Sequence, residues 1–98
     1  MNNDTTKAYE TAAAAGIDIN ALTLTGTEKQ VKFARDLLAR AVEDLLKVYH
    51  LNAAGISALA TIINGYTTAE VLDNRINASH LLAALKAAAR KNAARKNA

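Results

Sequence analysis

The residues able to do acid–base, nucleophilic or metal chemistry are few and scattered. The chain has 98 residues, two histidines (His50 and His80) and no cysteine. Without thiols there can be no disulfide and no thiolate metal site. His50 closes one helical pattern, where the helix dipole favours a cation, and His80 falls in the first turn of another. No Ser/His/Asp grouping or His-rich metal spacing surrounds either one. Glu43 and Asp44 adjoin each other within a charged helical pattern and read as a solvated face. Gly26 belongs to a helix-start signal, and no glycine-rich phosphate loop follows a strand. These residues predict no catalytic site, no metal and no cofactor.

The strong electrostatic feature is the end of the chain. Residues 1–75 carry seven Lys and Arg against nine Asp and Glu, whereas residues 76–98 carry five basic residues and no acid. Lys86 is followed by two pairs, Arg90–Lys91 and Arg95–Lys96, within a repeated Ala-Ala-Arg-Lys-Asn pentapeptide. On a helix five residues turn through 500°, so the pairs are offset by about 140° and share no narrow face. That spacing disfavours a groove-reading helix and favours diffuse contact with phosphates or an acidic surface. The bland alternative is a solvated end. No aromatic residue is interleaved to stack on single-stranded bases.

These groups need a scaffold, and the pattern for one is clear. From Glu28 to His50, Val31, Ala34, Leu38, Ala41, Val42, Leu45, Val48 and Tyr49 recur at helical spacing, with Lys29, Lys32, Asp36, Arg40, Glu43 and Lys47 opposite. Candidate ion pairs three or four residues apart run along this helix, including Lys32–Asp36, Asp36–Arg40 and Glu43–Lys47. Thr25 with Glu28, or Thr27 with Gln30, supplies a capping box. A first helix is predicted over 4–15, capped by Asp4 or Thr5, with Tyr9, Ala12, Ala13 and Ile17 inward and Gly16 as its stop. Ile17–Leu24 is an extended connector pinned by Ile17, Ile19, Leu22 and Leu24. Asn52 caps a helix over 53–64, with Ile56, Leu59, Ala60, Ile62 and Ile63 buried and Gly65 left-handed after it. Thr67 and Glu70 open a short helix to Asn74, and Asn77 or Ser79 caps the last one, with Leu81, Leu82, Leu85, Ala88 and Ala89 inward. Beyond Ala89 that helix should fray. The expected fold is all-α, a compact bundle of four to five helices around one long central helix, with a domain over 1–87 and a basic tail over 88–98.

Composition sets limits on this bundle. Apolar residues are 51% of the chain, but 23 of them are Ala and aromatics are only 4%. Alanine favours helix yet buries little surface. Such a core makes a homo-oligomer, or a partner that completes the core, an expectation. No apolar run reaches the ~20 residues a membrane span needs, and the polar N-terminus has no signal-peptide core. A cytoplasmic protein with no membrane contact is expected.

Two segments resemble a known group. Leu24-Thr25-Gly26-Thr27-Glu28-Lys29-Gln30-Val31-Lys32-Phe33-Ala34 and Leu72-Asp73-Asn74-Arg75 are similar to the Gly-Ser/Thr-Glu-Lys-Gln and Asp-Asn-Arg segments of small uncharacterised bacterial and phage proteins. Phe33 and Val71 stand where that group commonly has Trp. The resemblance implies a phage or mobile-element setting. If the short helix folds back over the start of the long one, Asp73 could meet Lys29 or free backbone N–H groups, and Arg75 could meet Glu28. That arrangement would be structural, or else a site for an anion or partner.

The leading expectation is a non-enzymatic protein-binding module. Its contact residues would be Lys32, Arg35, Asp36, Arg40 and Glu43, and its partner a host protein or complex. The resemblance extends this to an inhibitor of a host defence complex of the anti-CRISPR kind, acting in host cytoplasm. The alternative is nucleic-acid or acidic-surface binding through Lys86, Arg90, Lys91, Arg95 and Lys96, with a dimer as one form of it.

Overall fold

A computed structural model describes the backbone of residues 3–96 and the side chains of residues 5–90. It is all-α: α1 (Asn3–Ala14), α2 (Glu28–Val48), α3 (Ala53–Asn64), α4 (Thr68–Asn74) and α5 (Ala78–Lys96), with one 3-10 turn (Ile19–Ala21). The 21 residues of α2 make a rod about 32 Å long. α1, α4 and α5 all pack on α2, and α3 packs on α5. The expected bundle around one central helix is therefore what forms.

The rod is defined by its flank. Ala34, Leu38, Ala39, Ala41, Val42 and Leu45 are buried at the centre of a single core that also takes Ala8, Ala12, Leu59, Ile63, Val71 and Leu81. Removing such side chains from water stabilises by about 25 cal/mol per Å² of apolar area. The stripe is shorter than its sequence pattern. Val31 is only half buried, and Val48 and Tyr49 are 77% and 44% exposed. The helix ends at Val48, before His50, so Val48 and Tyr49 lie past the reach of the packed neighbours.

The helix starts follow local chemistry. At α2 the second of the two registers is used: Gln30 N–H donates to Thr27 Oγ1 (3.2 Å), and Thr27 N–H donates to Gln30 Oε1 (3.1 Å). Gly26 takes φ +130°, and a Cβ there would lie 2.8 Å from that same Gln30 oxygen. Glycine is needed because the capping side chain folds back over it. Thr67 and Glu70 form the matching box at α4. Asn52 Oδ1 accepts from Gly55 N–H at α3, and Asn77 Oδ1 accepts from Ser79 and His80 N–H at α5. Asn3 is already helical, so neither Asp4 nor Thr5 is the cap of α1.

The helix ends differ more from expectation. After α1, Gly16 is left-handed (φ +97°), Gly16 N–H donates to Ala13 O and Ile17 N–H to Ala12 O. This closing pattern places buried Ile17 against buried Ala12. The same pattern ends α4, but there Arg75 holds the left-handed position (φ 46°), with Ile76 N–H donating to Val71 O. Gly65 is right-handed (φ −86°) and caps α3 in an ordinary last turn. On α1, Thr5 and Ala8 face inward with Ala12, while Ala13 is exposed. The Ile17–Leu24 connector is pinned as expected, with Ile17, Ile19 and Leu22 buried and Leu24 half buried. Its 3-10 turn is set by Asp18, whose Oδ1 accepts from Asn20 N–H.

α5 runs without a break from Ala78 to Lys96, across position 88 where the tail was expected to begin. Leu81 is fully buried, Leu82, Leu85 and Ala88 are half buried, and Ala89 is exposed. No helix among the described residues is long and apolar enough to cross a membrane.

Candidate functional site

A groove of about 500 Å³ lies where α1 and the 3-10 turn meet the first half of α2. Its walls are Thr6 and Tyr9 from α1, Asn20 from the turn, Gly26 before α2, and Glu28, Val31, Lys32, Arg35 and Asp36 on α2. The positions 28, 31, 32, 35 and 36 form one face of a helix. That face carries four charged side chains and one apolar one, Val31.

One carboxylate organises the groove. Asp36 accepts a hydrogen bond from the Tyr9 hydroxyl through Oδ1 (2.7 Å) and from Lys32 Nζ through Oδ2 (2.8 Å). Burial, reinforced by the Asp36 hydrogen bond and charge, pushes the Tyr9 phenol well above its ordinary pKa. Tyr9 is therefore a neutral, fixed donor. Arg35 Nη2 donates to the carbonyl of Leu22 (3.0 Å), which ties the connector across the start of α2. Its Nε is buried without a partner. The groove is thus held in shape by polar contacts that also fix its charges.

The five candidate contact residues on α2 separate into two sets. Lys32, Arg35 and Asp36 come together in the groove, Lys32 exposed and the other two half buried. Arg40 is exposed, and its Nη2 donates to Thr5 Oγ1 (2.9 Å). Glu43 is not on the solvated face: it is only 8% exposed, with Oε2 accepting from Thr11 Oγ1 (3.5 Å) and Oε1 facing Lys47 Nζ (3.8 Å). α1 covers this edge of α2, which converts a surface acid into a bridge between helices. Asp44 is exposed. Among the described residues the expected ion pairs that form are Lys32–Asp36 and Glu43–Lys47.

The two resembling segments do meet. A cleft of about 280 Å³ is lined by Thr25 and Gln30 on one side and Thr67, Thr68, Ala69, Leu72 and Asp73 on the other. α4 folds back on α2 as the arrangement required. The Asp73–Lys29 and Arg75–Glu28 pairs do not form; Arg75 instead closes the α4 terminus. Thr68 Oγ1 is buried there without a hydrogen-bond partner.

On the basic helix, Lys86 and Arg90 are exposed, whereas the side chains of Lys91, Arg95 and Lys96 lie outside the described residues. Lys86 borders a third concavity, an apolar trough of about 310 Å³ between α3 and α5 that Tyr49 and Leu51 close at one end. His50 is exposed, and the His80 ring contacts Asn77 at the start of α5. No group of three or more His, Cys, Asp or Glu able to hold a metal occurs among the described residues.

Sequence reading did not assign Tyr9 to the site. Its periodicity marked it as inward-facing, which is correct, but nothing local says that its hydroxyl reaches Asp36, 27 residues away. The trough was missed because Tyr49 was placed in the buried stripe. No protein-family model matches the chain, and neither the curated proteins nor the solved structures contain a match to it.

Proposed function

We propose that the protein is a small non-enzymatic binding module that takes a segment of a partner protein in the α1–α2 groove. The observation that carries this reading is the convergence of Lys32, Arg35 and Asp36 with Tyr9 and Val31 around one concavity of about 500 Å³. That volume is within the ~300–1,000 Å³ usual for binding pockets. Val31 and the Tyr9 ring among fixed polar groups suit a protein segment, because the charges set register while the apolar surface contributes contact area. The side chains are already held by Tyr9–Asp36–Lys32 and Arg35–Leu22, so little ordering is needed on binding.

The resemblance over 24–34 and 72–75 supports a mobile-element setting. In that setting we propose an inhibitor of a host protein or defence complex, anti-CRISPR-like, acting in the host cytoplasm. Such an inhibitor needs a shaped surface and no catalytic group. The second reading, nucleic-acid binding through the basic helix, is favoured by Lys86 and Arg90 being exposed.

The test is retention of bacterial lysate proteins on immobilised chain. Four forms are compared: wild type, Lys32→Glu, Glu28→Lys, and a chain ending at Ala87. A protein held by wild type and by the truncated chain, and lost with both charge reversals, is the expected result. Retention that ignores both reversals contradicts the groove reading. Duplex DNA binding that falls steeply with salt and disappears on truncation would support the second reading.

A further inference from the structure

We infer that the trough between α3 and α5 is a second docking surface, shaped and charged for an acidic amphipathic helix of a partner protein. Its walls are aliphatic: Leu51, Ala54 and Ala58 face Leu82, Leu85 and Ala88. Tyr49, 44% exposed, stands at its end, and Val48 beside it in the chain is 77% exposed. Of the three exposed large apolar residues described, Phe33, Val48 and Tyr49, the last two are adjacent and Tyr49 lines the trough. An exposed aromatic on a concave aliphatic surface is what a contact surface offers.

Charge selects the occupant. Neither α3 nor α5 contains a single Asp or Glu, and α3 has no charged residue at all. Lys86 lies on the trough, and Arg90 follows it one turn later on the same side of α5. The surface is thus an apolar slot with one neutral wall and one basic wall. A helix laid in it would bury anchors at i, i+3 or i+4, and i+7, and would turn carboxylates toward Lys86 and Arg90.

A second copy of the chain fits poorly. A two-fold contact sets the same patch against itself. Each basic α5 would then meet an α3 and an α5 with no acid to offer. Nucleic acid would satisfy the charges but not the aliphatic walls, where Tyr49 is the lone aromatic. The inference stands apart from the α1–α2 groove, which shares none of these residues.

The experiment is fluorescence anisotropy with the full chain and a set of labelled helical peptides of about 18 residues. The peptides share a leucine face and differ only in carrying Glu, Gln or Lys on the polar face. The Glu peptide should bind most tightly, the Gln peptide about tenfold more weakly, and the Lys peptide not measurably. Lys86→Glu with Arg90→Glu should invert that order while leaving the circular dichroism unchanged, and Tyr49→Ser should weaken the Glu and Gln peptides alike. Equal binding of Glu and Lys peptides, or an order untouched by the reversal, overturns the proposal. So does a short duplex DNA that binds where the Glu peptide does not, or a dimer in sedimentation that Tyr49→Ser disperses.

Discussion

Where α1 meets α2, polar side chains join residues far apart in the chain: Tyr9 to Asp36, Thr11 to Glu43, Arg40 to Thr5 and Arg35 to the Leu22 carbonyl. Where α3 meets α5, the side-chain hydrogen bonds are local, as in Thr61 to Ser57 O and Asn64 to Ala60 O, and the helices meet through apolar contact. The two regions are therefore fixed by different physics. Hydrogen bonds have direction, so the α1–α2 side holds its charges in a set geometry. Apolar burial has none, so the α3–α5 side specifies proximity and leaves an open trough. The first arrangement suits recognition by preset charges, and the second suits a helix that supplies missing apolar area.

The contrast can be broken in order of size. The largest effect should come from Leu81→Ala, because Leu81 is fully buried on α5 and apolar packing holds that helix. A loss of about 3 kcal/mol is expected in a urea melt. A loss below ~1 kcal/mol, no more than a typical hydrogen bond contributes, would mean α5 is held by something else.

In the α1–α2 region Tyr9→Phe keeps the ring and removes the hydroxyl, at a cost of about 1.5–3 kcal/mol for a hydrogen bond to a carboxylate. The same variant tests the pH dependence. The folded state keeps the Tyr9 proton above the phenol's ordinary value of 10.0. The contribution is complete below that pH; above it the unfolded chain ionises first, and stability falls as pH rises toward the folded value. Tyr66, also raised by burial and by Glu70, adds to the fall. Tyr9→Phe should lose stability less steeply than wild type above about pH 10. Parallel curves would contradict the link.

Arg75→Gly should raise stability by about 1 kcal/mol, since a left-handed non-glycine residue is strained by roughly that much. A loss would show that the Arg75 side chain contributes more than its backbone costs. Smallest of all, Val48→Ser should change stability by less than about 0.5 kcal/mol, because the side chain is already in water.

The fold was largely legible because helix starts and stops are local. Asn52, Thr67 with Glu70, and Gly16 each announce a boundary through their own hydrogen bonds, and α3 and α4 begin, and α1 ends, where those signals lie. The long stripe of α2 likewise needs no knowledge of partners. The site was only half legible, because it depends on which edge of α2 is covered by α1. Glu43 has the same local pattern as Lys32 and Asp36, yet α1 buries it. Val48 continues the stripe in sequence, but no neighbour extends far enough to cover it. Arg75 was hidden for another reason: a left-handed cap held by arginine has no compositional signal, whereas glycine at 65 advertised one that is not used.

The groove reading is tested most directly by a photo-crosslinking side chain placed at position 20, an exposed wall of the groove, with exposed position 44 on α2 as a control. With the partner retained by the immobilised wild-type chain, position 20 should give a covalent adduct and position 44 none. Adducts from position 44, with none from 20, would contradict it.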